Sequence, residues 1–353
     1  MKGLILAGGK GTRLRPITHT SAKQLVPIAN KPVLFYGLEA LICAGIRDIG
    51  FVVGDTKDEI KKAVGDGSAW GIKPTFIEQE QPLGLAHAVK ISKKFIGNSS
   101  FVMYLGDNLI LSGITQFVKQ FKLAKPDAQI LLVRVPSPQQ FGVAEVDGDK
   151  VIKLVEKPKK PKSDLALAGI YMFNTEIFKA IDTLKPSARG ELEITDAIQY
   201  LIDRSYRVNH AVTNGWWKDT GKLEDMLEAN RIVLELKKES WKGSFDKKSR
   251  LEGTVILEEG SKIINSTIRG PAIIGRKTVI QNTYIGPFTS IYHDVIIKNS
   301  EIEHSIILEY TRITDIKRIE GSLIGQNVEI KRSKSKPEAY RIMVGDSSRV
   351  EII

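Results

Sequence analysis

Isoleucine paces the last third of this chain. Ile256, Ile263, Ile268, Ile274, Ile280, Ile285, Ile291, Ile296, Ile302, Ile307, Ile313, Ile319, Ile324 and Ile330 recur at steps of mostly five or six residues. Glycine follows at Ile274-Gly275, Ile285-Gly286 and Ile324-Gly325. Such spacing matches neither the 3.6-residue period of a helix nor the 2.0 period of a strand. A recurrence near six residues signals a parallel β-helix. There each turn stacks its apolar side chains on the turn below, and the core grows as a column. About four coils of three hexapeptides fit this length. The basic, polar stretch 237–250 is the expected hinge, giving domains 1–240 and 241–353. The tail, 334–353, carries another short β pattern expected to cap the last coil.

The first 235 or so residues have a different texture. Residues 4–6, 49–53, 74–77, 101–105 and 130–135 read as strands, and 34–44, 56–64 and 86–96 as intervening helices. Shorter β material follows at 143–146, 151–155 and 168–173, then helices near 175–182, 195–203 and 223–238. This alternation predicts an α/β domain built on a doubly wound, mostly parallel sheet.

Composition narrows the function. A chain of 353 residues has room for two domains. Its single cysteine, Cys43, excludes a disulfide scaffold and is expected in the core. The histidines His19, His87, His210, His293 and His304 show no metal-ligand spacing. No apolar run reaches the ~18 residues of a membrane span. The sequence opens on a strand rather than a leader, so no membrane partner and a cytoplasmic location are expected. The net charge of +11 raises the question of nucleic acid. The lysines are spread along the chain without an aromatic-basic ladder, so a basic balance that steers small anionic substrates is the better reading, and no nucleic-acid partner is expected.

The chemistry concentrates in Leu6-Ala7-Gly8-Gly9-Lys10-Gly11-Thr12-Arg13-Leu14-Arg15-Pro16. This loop follows the first predicted strand, and open α/β sheets bind ligands at the carboxyl ends of their strands. Glycines there let backbone N–H groups approach phosphate oxygens without a Cβ in the way. Lys10, Arg13 and Arg15 add positive charge, and Lys23 follows in Ala22-Lys23-Gln24-Leu25. Neither G-x-G-x-x-G nor G-x-x-x-x-G-K-[ST] is present.

The loop resembles the signature of the sugar-phosphate nucleotidylyltransferases. From Gly8 to Glu39, including Asn30-Lys31-Pro32-Val33-Leu34, it looks most like the long-form glucose-1-phosphate thymidylyltransferases, which carry an extra C-terminal domain. The resemblance implies that the β-helix is left-handed. It also implies transfer of a nucleotidyl group from dTTP, with UTP tolerated, to glucose 1-phosphate, with Mg²⁺ as cofactor. By the same resemblance Asp107 and Asp219 hold the metal, and Arg13 and Lys23 act on the triphosphate. Leu6, Gly8, Gly9, Gly11, Thr12, Gln24, Gln79 and Gly84 contact the nucleotide, the last two reading the base. Lys157 and Arg189 hold the sugar phosphate, and Gly142, Glu156, Gly169 and Glu191 face the sugar. Glu193 competes with Glu191 for that role. The nucleophile is already an anionic phosphate oxygen, so charge screening and placement matter more than a general base.

Three other readings remain open on the sequence. One is a uridylyltransferase acting on glucose or N-acetylglucosamine 1-phosphate. Another adds acetyl transfer on the β-helix, for which only His293 and His304 are candidate bases, and a solvated coil-face histidine explains both equally simply. The third is a regulatory subunit with a decayed site, which the presence of Arg13, Lys23, Asp107, Lys157 and Asp219 disfavours. The flat faces and open coil ends of a β-helix predict a homo-oligomer.

Overall fold

A computed structural model describes residues 1–332 and 342–351. The chain divides into two compact units. One joins Met1–Lys10 to Val33–Asp219; the other joins Gly11–Pro32 to Thr220–Ile353. The expected limit near residue 240 marks a change of sequence texture, whereas the compact units cut the chain elsewhere, because the glycine-loop continuation and the last helix pack with the repeats.

The first unit is built on one sheet. Its strands are β1 (Lys2–Ala7), β2 (Asp48–Val53), β3 (Lys73–Glu78), β4 (Phe101–Leu105), β5 (Asn108–Ile110), β6 (Ala128–Arg134), β7 (Gly142–Asp147), β8 (Lys150–Glu156), β9 (Leu165–Phe173), β10 (Val208–Val212) and β11 (Trp217–Asp219). The main sheet runs β3-β2-β1-β4-β9-β6-β10-β8-β7, with β5 and β11 forming a separate pair. Pairing is parallel from β3 through β4 and again between β6 and β10. It is antiparallel where β9 enters between β4 and β6 and where β8 meets β7 and β10. The uninterrupted run of parallel strands is therefore in the half carrying the glycine loop, and β6 with β10 is the one parallel pair of the other half. Strand β1 lies between two partners and buries Leu4 and Ile5 completely, as a continuous apolar run should. Strand β10 has no apolar run and was not foreseen.

Helices α1 (Val33–Cys43), α2 (Lys57–Val64), α3 (Leu85–Ile91), α4 (Lys93–Ile96), α5 (Thr115–Ala124), α6 (Glu176–Thr183) and α7 (Ile194–Asp203) connect the strands. The single helix expected over 86–96 is two. At Ser92, Oγ donates to the Ala88 carbonyl at 2.7 Å, a side-chain bond that competes with helix continuation. Cys43 is exposed, not in the core. Helix α1 buries Val33, Leu34, Gly37, Leu38, Ala40 and Leu41, and Cys43 lies two turns beyond Tyr36 on the other face.

The second unit contains α8 (Leu223–Glu235) and the β-helix. Three parallel sheets of six, six and five short strands stack in register, consistent with the expected left-handed β-helix. Leu257, Ile274, Ile291, Ile307 and Ile324 form one column. Ile263, Ile280, Ile297, Ile313 and Ile330 form a second. Leu251, Ile268, Ile285, Ile302 and Ile319 form the third. Two predicted core positions shift by one residue. Ile256 and Ile296 are half-buried, while Val255, Leu257, Val295 and Ile297 point inward. The coil count also rises above four. The predicted hinge already contains strands Ser240–Trp241, Ser244–Phe245 and Arg250–Glu252, which are the first coil. Residues 342–351 form no strand, and the rest of the expected cap lies outside the described residues. No helix among the described residues is long and apolar enough to cross a membrane.

Candidate active site

In the first unit the site grows from the carboxyl ends of β1, β2, β3 and β4. Strands β1 and β2 come so close at Gly8 and Gly54 that a Cβ on Gly54 would lie 2.9 Å from the Gly8 carbonyl oxygen. Leu6 is buried in β1, and its carbonyl accepts the Gly106 N–H at 2.9 Å. Gly9 and Lys10 are exposed, and Lys10 lies 3.5 Å from Asp55. Gln79 directly follows β3. A Cβ on Gly84 would meet the Leu192 carbonyl oxygen at 2.5 Å, so only glycine fits, and its φ of 101° also requires one. Around it Leu192 N–H donates to Leu83 O at 2.8 Å and Ala86 N–H to Leu192 O at 3.0 Å. These bonds stitch the Gln79–Gly84 loop to the loop carrying Arg189 and Glu191.

Arg189 organises that second loop. It donates to Glu156 at 3.1 Å and Glu191 at 3.0 Å and lies 3.6 Å from Glu193. Burial, then the charge of Glu193, raises the Glu156 carboxyl above the usual glutamate range; Lys157 and Arg189 oppose that rise. Glu193 is 5% exposed and accepts from Ser187 Oγ at 2.8 Å, whereas Glu191 remains partly open. Of the two, Glu191 is the accessible carboxylate. Lys157 has a left-handed φ of 43°, held by its N–H donating to Phe141 O at 3.0 Å.

Two glycines let side chains in close. A Cβ on Gly142 would lie 2.9 Å from Thr195 Cγ2 and 3.2 Å from Glu156 Oε2; one on Gly169 would lie 2.6 Å from Asn108 Nδ2. Both neighbours were missed by sequence reasoning. Thr195 Oγ1 and Asn108 Oδ1 are buried without a hydrogen-bond partner among the described residues. Orphaned buried oxygens next to two closely packed glycines suit a ligand rich in hydroxyls. Asn108 adjoins Asp107, and the antiparallel pairing of β5 with β11 sets Asp219 opposite Asn108. Trp217 Nε1 anchors β11 to the Ala168 carbonyl at 2.8 Å. Asp107 and Asp219 offer the hard carboxylate oxygens that a divalent metal ion takes. No cluster of three or more potential metal ligands occurs among the described residues.

The second unit holds Gly11, Thr12, Arg13, Lys23 and Gln24. Gly11 has φ 63°, and its carbonyl accepts from Thr18 Oγ1 at 2.7 Å. Its would-be Cβ lies 2.9 Å from Lys23 Cβ, so the glycine lets the two short 3₁₀ turns that carry Arg13 and Lys23 approach. Gln24 is buried, with its Oε1 unpaired among the described residues. The segment is pinned to α8 and the coils through Asn230. Asn230 Oδ1 accepts from Ala29 N–H at 2.9 Å and Ser290 Oγ at 2.6 Å, and Nδ2 donates to Phe288 O at 2.9 Å. His293 packs on Tyr292, with ring centroids 4.0 Å apart, and His304 lies edge-on to Phe288 at 6.2 Å.

The sequence pattern of the Nucleotidyl transferase family matches residues 2–235. The chain belongs to this family. Members generally use a divalent metal, in keeping with the paired aspartates. Over all of this chain and 99% of its relative, the chain is 54% identical to a glucose-1-phosphate thymidylyltransferase of Streptomyces griseus. It is 36% identical to the bifunctional protein GlmU of Methanocaldococcus jannaschii, over 93% of this chain and 78% of that protein. A crystal structure of a Bacillus anthracis protein assigned as a glucose-1-phosphate thymidylyltransferase, in complex with sucrose, superposes with a TM-score of 0.63. It is 38% identical, covering 66% of this chain and 95% of that one.

Proposed function

We propose that the chain transfers a thymidylyl group from dTTP to glucose 1-phosphate, giving dTDP-glucose and pyrophosphate. A phosphate oxygen of glucose 1-phosphate attacks the α-phosphorus of dTTP. The bond from that phosphorus to the bridging oxygen breaks, and pyrophosphate leaves with the electron pair. The observation that carries this reading is the joining of Gln79 and Gly84 to Arg189 and Glu191 through Leu83, Ala86 and Leu192. One continuous wall thus carries groups suited to a base and groups suited to an anionic sugar.

In this reading Gln79 and Gly84 read the base, and Leu6, Gly8, Gly9, Gly11, Thr12 and Gln24 hold the rest of the nucleotide. Arg13 takes up charge on the departing pyrophosphate, and Lys23 serves the α-phosphate. Lys157 supplies a point charge, and Arg189 a bidentate fork, for the sugar phosphate. Gly142, Glu156, Gly169 and Glu191, joined by Thr195 and Asn108, meet the hydroxyls. Asp107 and Asp219 would hold Mg²⁺, which when bound supplies charge neutralisation between two polyanions. Thymine differs from uracil by one methyl, worth only ~1–3 kcal/mol, so UTP is a slower substrate rather than a forbidden one. Exposed Trp241 and Phe245 on the first coil support assembly with further copies of the chain.

The test is pyrophosphate release with Mg²⁺, crossing glucose 1-phosphate and N-acetylglucosamine 1-phosphate with dTTP, UTP, CTP, ATP and GTP. The highest kcat/KM is expected for glucose 1-phosphate with dTTP. Preference for UTP with N-acetylglucosamine 1-phosphate, or for a purine nucleotide, refutes the assignment.

A further inference from the structure

The Gln79 side chain has a defined orientation. Its Nε2 lies 3.3 Å from the Gly84 carbonyl oxygen and 3.0 Å from Nδ1 of His87. A carbonyl oxygen can only accept, so the amide atom facing it is the nitrogen. Nδ1 of His87 must then accept as well, which places the proton of the neutral ring on Nε2. With both amide N–H bonds used, Oε1 is turned toward Gly8, 3.5 Å from where a Cβ would stand there.

We infer that His87 is a specificity-determining positioning residue, locking the Gln79 amide so that its oxygen, not its nitrogen, meets the base. An outward oxygen accepts from the ring N–H of thymine or uracil. It repels cytosine, whose corresponding ring nitrogen is itself an acceptor. The inference rests on the reading that Gln79 meets the base, and it adds what fixes the answer that Gln79 gives.

The lock needs a neutral imidazole. Burial, then the neighbouring Lys90, lowers the His87 pKa from its ordinary value. Lys90 itself pairs with Asp182 of α6 at 3.3 Å. Around α3, helix α4 adds Lys93 and Lys94, and α7 adds Asp196 and Asp203. On α6, Glu176 and Lys179 neutralise each other at 2.7 Å. The loop stitched to Gly84 adds the mutually paired Arg189, Glu191 and Glu193. Among these groups Lys90 is the charge that acts on His87. The ring therefore stays neutral at physiological pH. In acid, Nδ1 gains a proton and becomes a donor facing the amide nitrogen, and the lock on the amide orientation is lost.

The experiment measures kcat and KM for dTTP and dCTP, with glucose 1-phosphate, between about pH 7.5 and 5. The proteins are the wild type, His87→Phe, His87→Gln and Gln79→Ala. The wild type should lose about tenfold of its dTTP-over-dCTP preference on acidification, mainly through KM, the size of one reversed hydrogen bond. His87→Phe should show that loss already at pH 7.5, without pH dependence. His87→Gln, whose Oε1 can accept the same bond, should restore the preference and hold it at low pH. If Gln79→Ala loses the preference while His87→Phe keeps it, the lock is refuted and the Gln79 reading stands. If Gln79→Ala keeps the preference, both fall. Should His87→Phe fail to fold, a wild-type preference flat across the pH range is enough to overturn the inference.

Discussion

Asp219 stands directly opposite Asn108 in the short antiparallel pairing of β5 with β11, one residue from Asp107. The register of a two-strand ladder, rather than proximity in sequence, sets the backbone of Asp219 beside that of Asn108, next to Asp107. Either strand slipping by one residue would turn its carboxylate to the other face. Asp107→Asn and Asp219→Asn should each lower kcat by about 10²–10³-fold, the scale of losing one electrostatic stabiliser. Mg²⁺ should raise the wild-type Tm with nucleotide present and fail to do so in either variant. Full activity in either variant would remove that aspartate from the metal site.

Gly84 lets the Gln79–Gly84 loop and the Arg189–Glu191 loop join by having no side chain. An alanine there meets Leu192 O at 2.5 Å and Leu192 N at 2.8 Å, at a backbone angle few residues adopt. Gly84→Ala should destabilise by about 2–4 kcal/mol, from overpacking and backbone strain together. Because the two loops are hydrogen-bonded to each other, KM should rise for both substrates. A rise for dTTP alone would show that the stitch does not transmit.

The isoleucine columns were legible because a coil of nearly constant length repeats one environment many times. The pattern erred by one residue only at Ile256 and Ile296, where two inward residues flank an outward isoleucine. The first coil was hidden because Ser240–Trp241 and Ser244–Phe245 carry no isoleucine and half-expose their aromatics. The glycines after β1 were legible as a strand-end loop because an apolar run precedes them. Asn108, Thr195 and His87 were not. Their roles depend on what long-range pairing sets beside them, and no spacing within the chain encodes that. The same holds for the unit boundaries, since Asn230 reaches Ala29 across 201 residues of sequence.

Glu156 carries a stability cost. Its folded pKa lies above the ordinary glutamate value, chiefly through burial. The folded state therefore binds its proton more tightly than the unfolded chain does. This group's contribution to stability falls as pH rises from the usual glutamate range through the raised value, and its charge opposes folding at pH 7. Glu156→Gln should thus raise Tm at pH 7, an advantage that disappears below about pH 4, where both states are protonated. Loss of the charge-assisted bond from Arg189 should raise KM for glucose 1-phosphate about tenfold. Stability and binding are expected to move in opposite directions, as at sites strained for function. A lower Tm at pH 7 would show that the Arg189 pair outweighs desolvation.

Asn230 ties together three polar groups of the second unit. It is fully buried and satisfies the Ala29 N–H, the Ser290 hydroxyl and the Phe288 carbonyl at once. Beside it, Asn30 Nδ2 donates to Ile291 O at 2.8 Å, and Ser21 Oγ accepts from Gln326 Nε2 at 3.0 Å. The segment bearing Arg13 and Lys23 is thus held by the repeat column within its own unit. Asn230→Ala leaves three polar groups buried and unpaired, at about 2–4 kcal/mol. The variant should melt earlier and should also raise KM for dTTP more than for glucose 1-phosphate, because Arg13 and Lys23, the proposed triphosphate cations, lie on the loosened segment. Asn230→Asp keeps both acceptor bonds and loses only the donor to Phe288, so it should recover part of each effect. If Asn230→Ala lowers Tm while both KM values stay at wild type, the β-helix stabilises the chain without positioning the triphosphate cations.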